Sequence, residues 1–173
     1  MKPVSAIDST EAQINNYQRA VETLARLPEN HLKLTEWQSW SQDLFAGQPW
    51  LTKLNEAMVI AYARMVKRNG TLSDKPRSYH NEFHINDLLS RVIYCARQST
   101  DQIDLKGLAL LSFFAATHDL RQAEQPKHID DESPVGANEM ASFQEASRIL
   151  LAIFDYVHFL LKFSPIFRRR LRV

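Results

Sequence analysis

Leu108-Ala109-Leu110-Leu111-Ser112-Phe113-Phe114-Ala115-Ala116-Thr117-His118-Asp119 decides the reading of this chain. The run is apolar on most sides of a helix and predicts the central helix of the fold, from about Leu105 to His118. It leads straight into an imidazole and a carboxylate. Two ionisable groups at the end of a buried helix are costly unless something satisfies them, and a metal ion does so well. Adjacent His and Asp cannot share a helix face, but both can reach a metal where the helix ends and the backbone turns. There the carboxylate can also bridge two ions.

Upstream, Tyr79-His80-Asn81-Glu82-Phe83-His84 places two histidines four residues apart. On a helix they share one face, and Asp87 adds a carboxylate to that face at the next turn. His84, joining His118 and Asp119 from a neighbouring helix, gives three protein ligands and leaves positions for water and substrate. That open arrangement belongs to catalytic rather than structural sites. Imidazoles with a carboxylate suit a borderline or hard divalent ion, and these donors do not separate Mn, Mg, Fe, Zn and Ni, nor one ion from two. The expectation is a metal-dependent phosphohydrolase-type site.

The bulk numbers fit one domain. A chain of 173 residues, 45% hydrophobic and 24% charged, can bury a real core. Its formal net charge of +1 gives no electrostatic reason to expect nucleic acid. Cys95 is the only cysteine, which excludes an intramolecular disulfide and a thiolate metal cage. The stretch Met1 to Asp8 has no apolar signal core, so a cytoplasmic location is expected.

Periodicity is helical nearly throughout, with few glycines and no hairpin signal, and predicts an all-α domain of about six or seven helices. Asp8-Ser9-Thr10-Glu11 offers N-cap chemistry for a helix running to about Leu27. A short helix from Thr35 carries Trp37, Trp40 and Leu44 on one stripe. Those tryptophans, with Trp50, read as packing rather than as a base-stacking platform. A third helix spans about Trp50 to Arg68, and Asn69-Gly70 looks like a left-handed stop. A fourth, from about His80 to Gln98, turns Leu88, Val92 and Cys95 or Ala96 to the core. Arg121 to Val135 reads as a polar loop beside the site, and Asn138 opens a last helix. In the loop, Arg121 and Lys127 are either phosphate grips or solvated charges. His31 and His128 read as solvated.

Taken together, Tyr79-His80-Asn81-x-x-His84-x-x-Asp87 and Phe114-Ala115-Ala116-Thr117-His118-Asp119 resemble the HD superfamily of metal-dependent phosphohydrolases, and distantly the class I cyclic-nucleotide phosphodiesterases. Asn138-Glu139 is similar to the asparagine-containing turn that follows the doublet in many members. The resemblance covers roughly residues 79–150; residues 1–70 supply compatible N-terminal helices. It implies His84, His118 and Asp119 as metal ligands and His80 as the general acid that protonates the leaving oxygen. It also implies Asn81 as a local orienter and Asp87 as a carboxylate behind an imidazole N–H. The family closes its site with a further Asp from a later helix, and Asp155 is the only helical candidate here. Leu120-Arg121-Gln122-Ala123 follows Asp119 without the extra histidine of the phosphodiesterases. The implied substrate is a nucleotide or other small phosphate ester. The alternative is a catalytically degenerate HD-like module that binds a ligand or partner in signalling.

Residues 151–173 stand apart. Ile149 to Phe167 is strongly apolar, and Arg168-Arg169-Arg170-Leu171-Arg172 follows. Asp155, His158, Lys162 and Pro165 interrupt the stretch, so a packed terminal helix is expected rather than a membrane anchor. The family comparison also allows a truncated or altered ending.

Overall fold

Short polar side chains set where the helices begin. Asp8 accepts the Glu11 N–H at 2.8 Å, Asn16 that of Arg19 at 2.9 Å and Asp104 that of Gly107 at 2.6 Å. The computed structural model describes residues 5–27, 33–98, 104–122 and 136–154. Among the described residues are seven helices and no strand: α1 (Ser9–Gln13), α2 (Tyr17–Leu24), α3 (Lys33–Leu44), α4 (Leu51–Arg68), α5 (Glu82–Gln98), α6 (Leu105–Thr117) and α7 (Ala137–Ile153). The fold is all-α, as expected. Asp155, His31, His128, Lys127 and the tail from residue 155 on lie outside the described residues, while the first residues of the apolar stretch end α7.

The helix at the centre is α4, not α6. It packs against each of the other six, whereas α6 packs against α4, α5 and α7. Every residue from Ala57 to Val66 is buried. The reason is side-chain size: Ala57, Ala61 and Ala63 let neighbours approach on several sides, with Met58, Ile60, Tyr62 and Met65 filling the gaps. Helix α6 has the greater apolar content, yet Leu111 and Phe114 remain exposed on it. Trp37 is fully buried, and the Phe45 ring meets those of Trp40 and Trp50 at 5.6 and 5.1 Å, consistent with packing.

Three local expectations change. The first helix is two: the chain breaks at Ile14, whose carbonyl accepts from buried Arg64 Nε at 3.0 Å instead of continuing the helix, and Asn16 then caps a new start. Gly70 is not left-handed, since positive φ among the described residues occurs at Gly47 and Gly136. It is glycine because a Cβ there would sit 1.7 Å from Oε2 of the fully buried Glu82. On α5 the core residues are Ile85, Leu89, Val92 and Ile93, with Leu88 and Ala96 partly buried and Cys95 exposed.

A buried ion cluster joins four parts of the chain. Arg64 and Arg68 of α4 each reach Glu145 Oε1 of α7 at 3.1 Å, and Arg68 also holds Asp8 at 2.7 Å. Arg148 clasps Glu11 at 2.6 Å, and Arg121 lies 3.5 Å from Glu145 Oε2. Glu145 is fully buried, so its carboxylate depends on these guanidiniums. Glu145→Ala, leaving Arg64 and Arg68 short of a counter-charge, is expected to cost about 3–5 kcal/mol, read as a lower urea midpoint at unchanged slope.

Candidate metal centre

Helix α6 ends at Thr117, and His118 keeps near-helical backbone angles as its cap, so the chain turns as the doublet leaves the helix. The turn is held from outside. Arg68 donates to the Leu120 carbonyl at 2.8 Å, and the Arg121 N–H donates to Ser142 Oγ of α7 at 2.9 Å. Asp119 is thereby fixed at the mouth of the α5–α6 contact, with its side chain mostly buried.

Opposite it, Asn81 starts α5. Its Oδ1 accepts the N–H groups of Phe83 and His84 at 3.0 and 3.4 Å, its backbone carbonyl accepts from Ile85, and its Nδ2 donates to the Arg77 carbonyl at 2.7 Å. Asn81 is thus the cap of the helix that carries His84. His80 lies before the helix, in the preceding turn, so the two histidines do not share a helix face as the spacing suggested. They converge nonetheless.

Three imidazoles meet one carboxylate oxygen. Asp119 Oδ2 lies 2.9 Å from His80 Nδ1, 3.3 Å from His84 Nε2 and 3.0 Å from His118 Nε2. One donor atom from each of His84, His118 and Asp119 lies within 4.8 Å of the others. His118 Nδ1 is 3.1 Å from the Ala115 carbonyl, a pure acceptor, so Nδ1 carries the hydrogen. In a neutral His118 ring, Nε2 therefore aims a lone pair at the lone pairs of Asp119. Such an arrangement needs a positive charge between its members, either protons on the rings or a cation. A ring whose far nitrogen donates to a backbone carbonyl is the usual setting of a metal-binding imidazole, so the donor set fits a divalent ion.

The electrostatics follow the same contacts. Burial pushes the Asp119 carboxyl up, but hydrogen bonds from His118 and His80 and their charge outweigh it and hold it at about 2. Burial pulls His118 down, while the bond to Asp119, its charge and the Ala115 and Phe114 carbonyls raise the ring above its ordinary value. His84 is lowered, chiefly by burial, with the neighbouring histidines adding to the effect and Asp119 opposing it.

The other residues singled out in the sequence are placed differently. Asp87 is 65% exposed and pairs with Arg91 at 3.0 Å, one turn along the same helix, rather than supporting an imidazole. Arg121 does not face the three histidines: its guanidinium donates to the Ala6 carbonyl at 3.0 Å and joins the Glu145 cluster, whereas Gln122, one residue on, reaches Asp119. Two residues went unread in the sequence. Gln122 Nε2 donates to Asp119 Oδ1 at 2.6 Å and fixes the carboxylate's second oxygen; its place three residues on, across the turn, was the available signal. Buried Glu82 accepts from the Thr71 N–H at 2.9 Å and from the Thr71 hydroxyl, tying the 70–79 loop to the start of α5. A cleft of about 510 Å³ lies elsewhere, lined by Gln13, Arg19, Arg26, Lys67 and Leu72 among others. It lacks the converging donors of a metal centre.

Comparison with known proteins returned no match to a protein-family model, to a curated protein or to a solved structure. No helix among the described residues is long and apolar enough to cross a membrane.

The site's protonation gives a test. A raised His118 adds stability that is full below about pH 6.5 and fades as pH rises through its folded value; a lowered Asp119 adds stability above about pH 4 that fades towards pH 2. In metal-free protein the His118 ring should titrate above 6.5 by NMR, and Asp119→Asn should bring the midpoint down. A midpoint that ignores Asp119→Asn would show that the carboxylate does not govern the ring.

Proposed function

We propose that this protein is a metal-dependent phosphohydrolase of the HD type, acting on a nucleotide or other small phosphate ester. One observation carries the reading: the Nε2 atoms of His84 and His118 lie 3.3 and 3.0 Å from Asp119 Oδ2, and His118, its Nδ1 hydrogen spent on the Ala115 carbonyl, meets that carboxylate with a lone pair unless the ring is protonated or a cation lies between them. The doublet at the end of an apolar helix and the upstream Tyr79-His80-Asn81-x-x-His84 support the same assignment.

His84, His118 and Asp119 would hold the ion. When bound, it would supply Lewis acidity to a phosphoryl oxygen and a bound water acidic enough to ionise near neutral pH. The chain's residues do the rest. Gln122 holds Asp119 Oδ1, so the carboxylate cannot rotate away, and the Ala115 carbonyl fixes the His118 tautomer. His80 stands on Asp119 Oδ2 through Nδ1, with its side chain 38% exposed and outside the trio of donors. An imidazole held at Nδ1 by a carboxylate can carry a proton on Nε2. His80 Nε2 gives that proton to the departing ester oxygen as a water oxygen replaces it on phosphorus.

Metal content tests the assignment. Wild-type protein dialysed against Mn²⁺ or Zn²⁺ should retain about one ion per chain or more, and His118→Ala with Asp119→Ala should retain none. Equal metal in the two would end the reading. His80→Asn should keep its metal while turnover on a phosphate ester falls about 10²–10⁴-fold, the range of general acid catalysis. Parallel loss of metal and turnover would place His80 among the ligands instead.

A further inference from the structure

The break between α1 and α2 leaves a cleft. Buried Arg64 takes the Ile14 carbonyl, the first helix stops, and a new one starts from Asn16. Between the turn at residues 13–15, α2 and the last turn of α4 lies the cleft of about 510 Å³, a size typical of small-molecule sites. It shares no residue with the metal centre.

Its lining is charged and unbalanced. Arg19, Arg26 and Lys67 line it against one carboxylate, Glu22, an excess of two positive charges. Glu22 holds Arg19 at 3.1 Å, but both side chains are largely exposed, so water screens the pair and leaves it easy to exchange. Among the described residues no carboxylate pairs with Arg26 or Lys67. Lys67 gives one N–H to the Leu72 carbonyl at 3.4 Å, which leaves its other N–H groups for a further acceptor. Cations gathered from two helices into one concavity repel each other. The walls of a cleft also concentrate their field, so an anion gains more there than on an open surface.

We propose that this cleft binds a small organic dianion through Arg26, Lys67 and Arg19, independently of the metal centre. Two negative charges match the excess of the lining, and guanidinium and ammonium groups suit phosphate and carboxylate oxygens alike. Ile14 and Leu72 add an apolar part that a short carbon skeleton can cover. The occupant is a small molecule rather than a polyanionic chain. A nucleic acid needs a broad basic surface, and a net charge of +1 supplies no such field.

The test titrates the full chain by NMR with propylphosphonate, glutarate and propanesulfonate, three anions of similar size, of which only the last carries a single charge. None has an ester bond to hydrolyse. Salt at about 0.15 M screens general attraction, and mildly alkaline pH keeps the phosphonate dianionic. The amides of Ile14, Asn15 and Leu72 should shift saturably with at least one dianion, at an affinity at least about fivefold above that for propanesulfonate. The tighter of the two dianions assigns the group as phosphate-like or carboxylate. Arg26→Gln with Lys67→Gln should weaken binding at least about tenfold, and Lys67→Arg should retain it. Glu22→Gln, which removes the competing carboxylate, should tighten it about two- to threefold. Arg26 is exposed, so Arg26→Gln alone keeps the fold and should still weaken binding about threefold. His118→Ala with Asp119→Ala should leave these shifts intact, and their loss there would overturn the proposal by assigning the dianion to the metal centre. Equal affinity for propanesulfonate would overturn it as general charge attraction. So would unmoved amides at the cleft, or unchanged affinity in Arg26→Gln.

Discussion

Asp119 Oδ2 accepts more neighbours than a carboxylate oxygen can serve with lone pairs alone. Ring nitrogens of His80, His84 and His118 lie within 3.3 Å of it, while Gln122 occupies the other oxygen. A carboxylate so crowded stays only where the backbone is fixed and the charge is balanced. Much of the local structure meets those two requirements. The end of α6, the capped start of α5 and the anchoring of the 119–122 turn all converge on one atom.

Fixing the backbone falls to a part of the protein with no chemistry of its own. Arg68 binds Asp8 and Glu145 and also donates to the Leu120 carbonyl, one residue past Asp119. Arg121 reaches the Ala6 carbonyl and the same glutamate. The N-terminal segment, α4, α7 and the doublet turn therefore share one buried network. Replacing such a network with apolar residues often leaves stability unchanged, so affinity among its members is a weak reason for its presence. Its geometric effect is more telling. Guanidinium forks set direction as well as distance, and one of them sets the carbonyl that follows Asp119.

Helix content, the capping residue Asp8, the broad limits of α3 to α6, the start of α7 and the residues of the trio were legible in the sequence. Those features are local, or belong to a short pattern whose cost is visible without partners. What escaped was long-range. Nothing in the sequence near Arg64 names Glu145 as its partner, although an arginine inside the apolar run Met58 to Val66 signals that one exists. Arg121 read as a phosphate grip or a solvated charge, and it is neither: two residues past Asp119 its guanidinium turns into the buried Glu145 cluster. Asp87 was placed by helical spacing from His84, and exposed pairing with Arg91 took it instead. Apolar content named α6 as the central helix, whereas the small residues of α4 admit more neighbours.

The start of α5 shows how such a shift changes chemistry as well as description. Had the helix begun at His80, that residue and His84 would be fixed by one rigid element and move together. Asn81 instead closes the helix behind Glu82, spending its Oδ1 on the Phe83 and His84 N–H groups. His84 is thus set by the helix, and His80 by the turn and by its bond to Asp119. Glu82, bound to Thr71 and packed on Gly70, ties that turn to the loop before it. A ligand needs a fixed position, whereas a group that passes on a proton must adjust by fractions of an ångström as the acceptor moves. His84 inside the helix and His80 just outside it have the support suited to the parts proposed for them, ligand and proton donor.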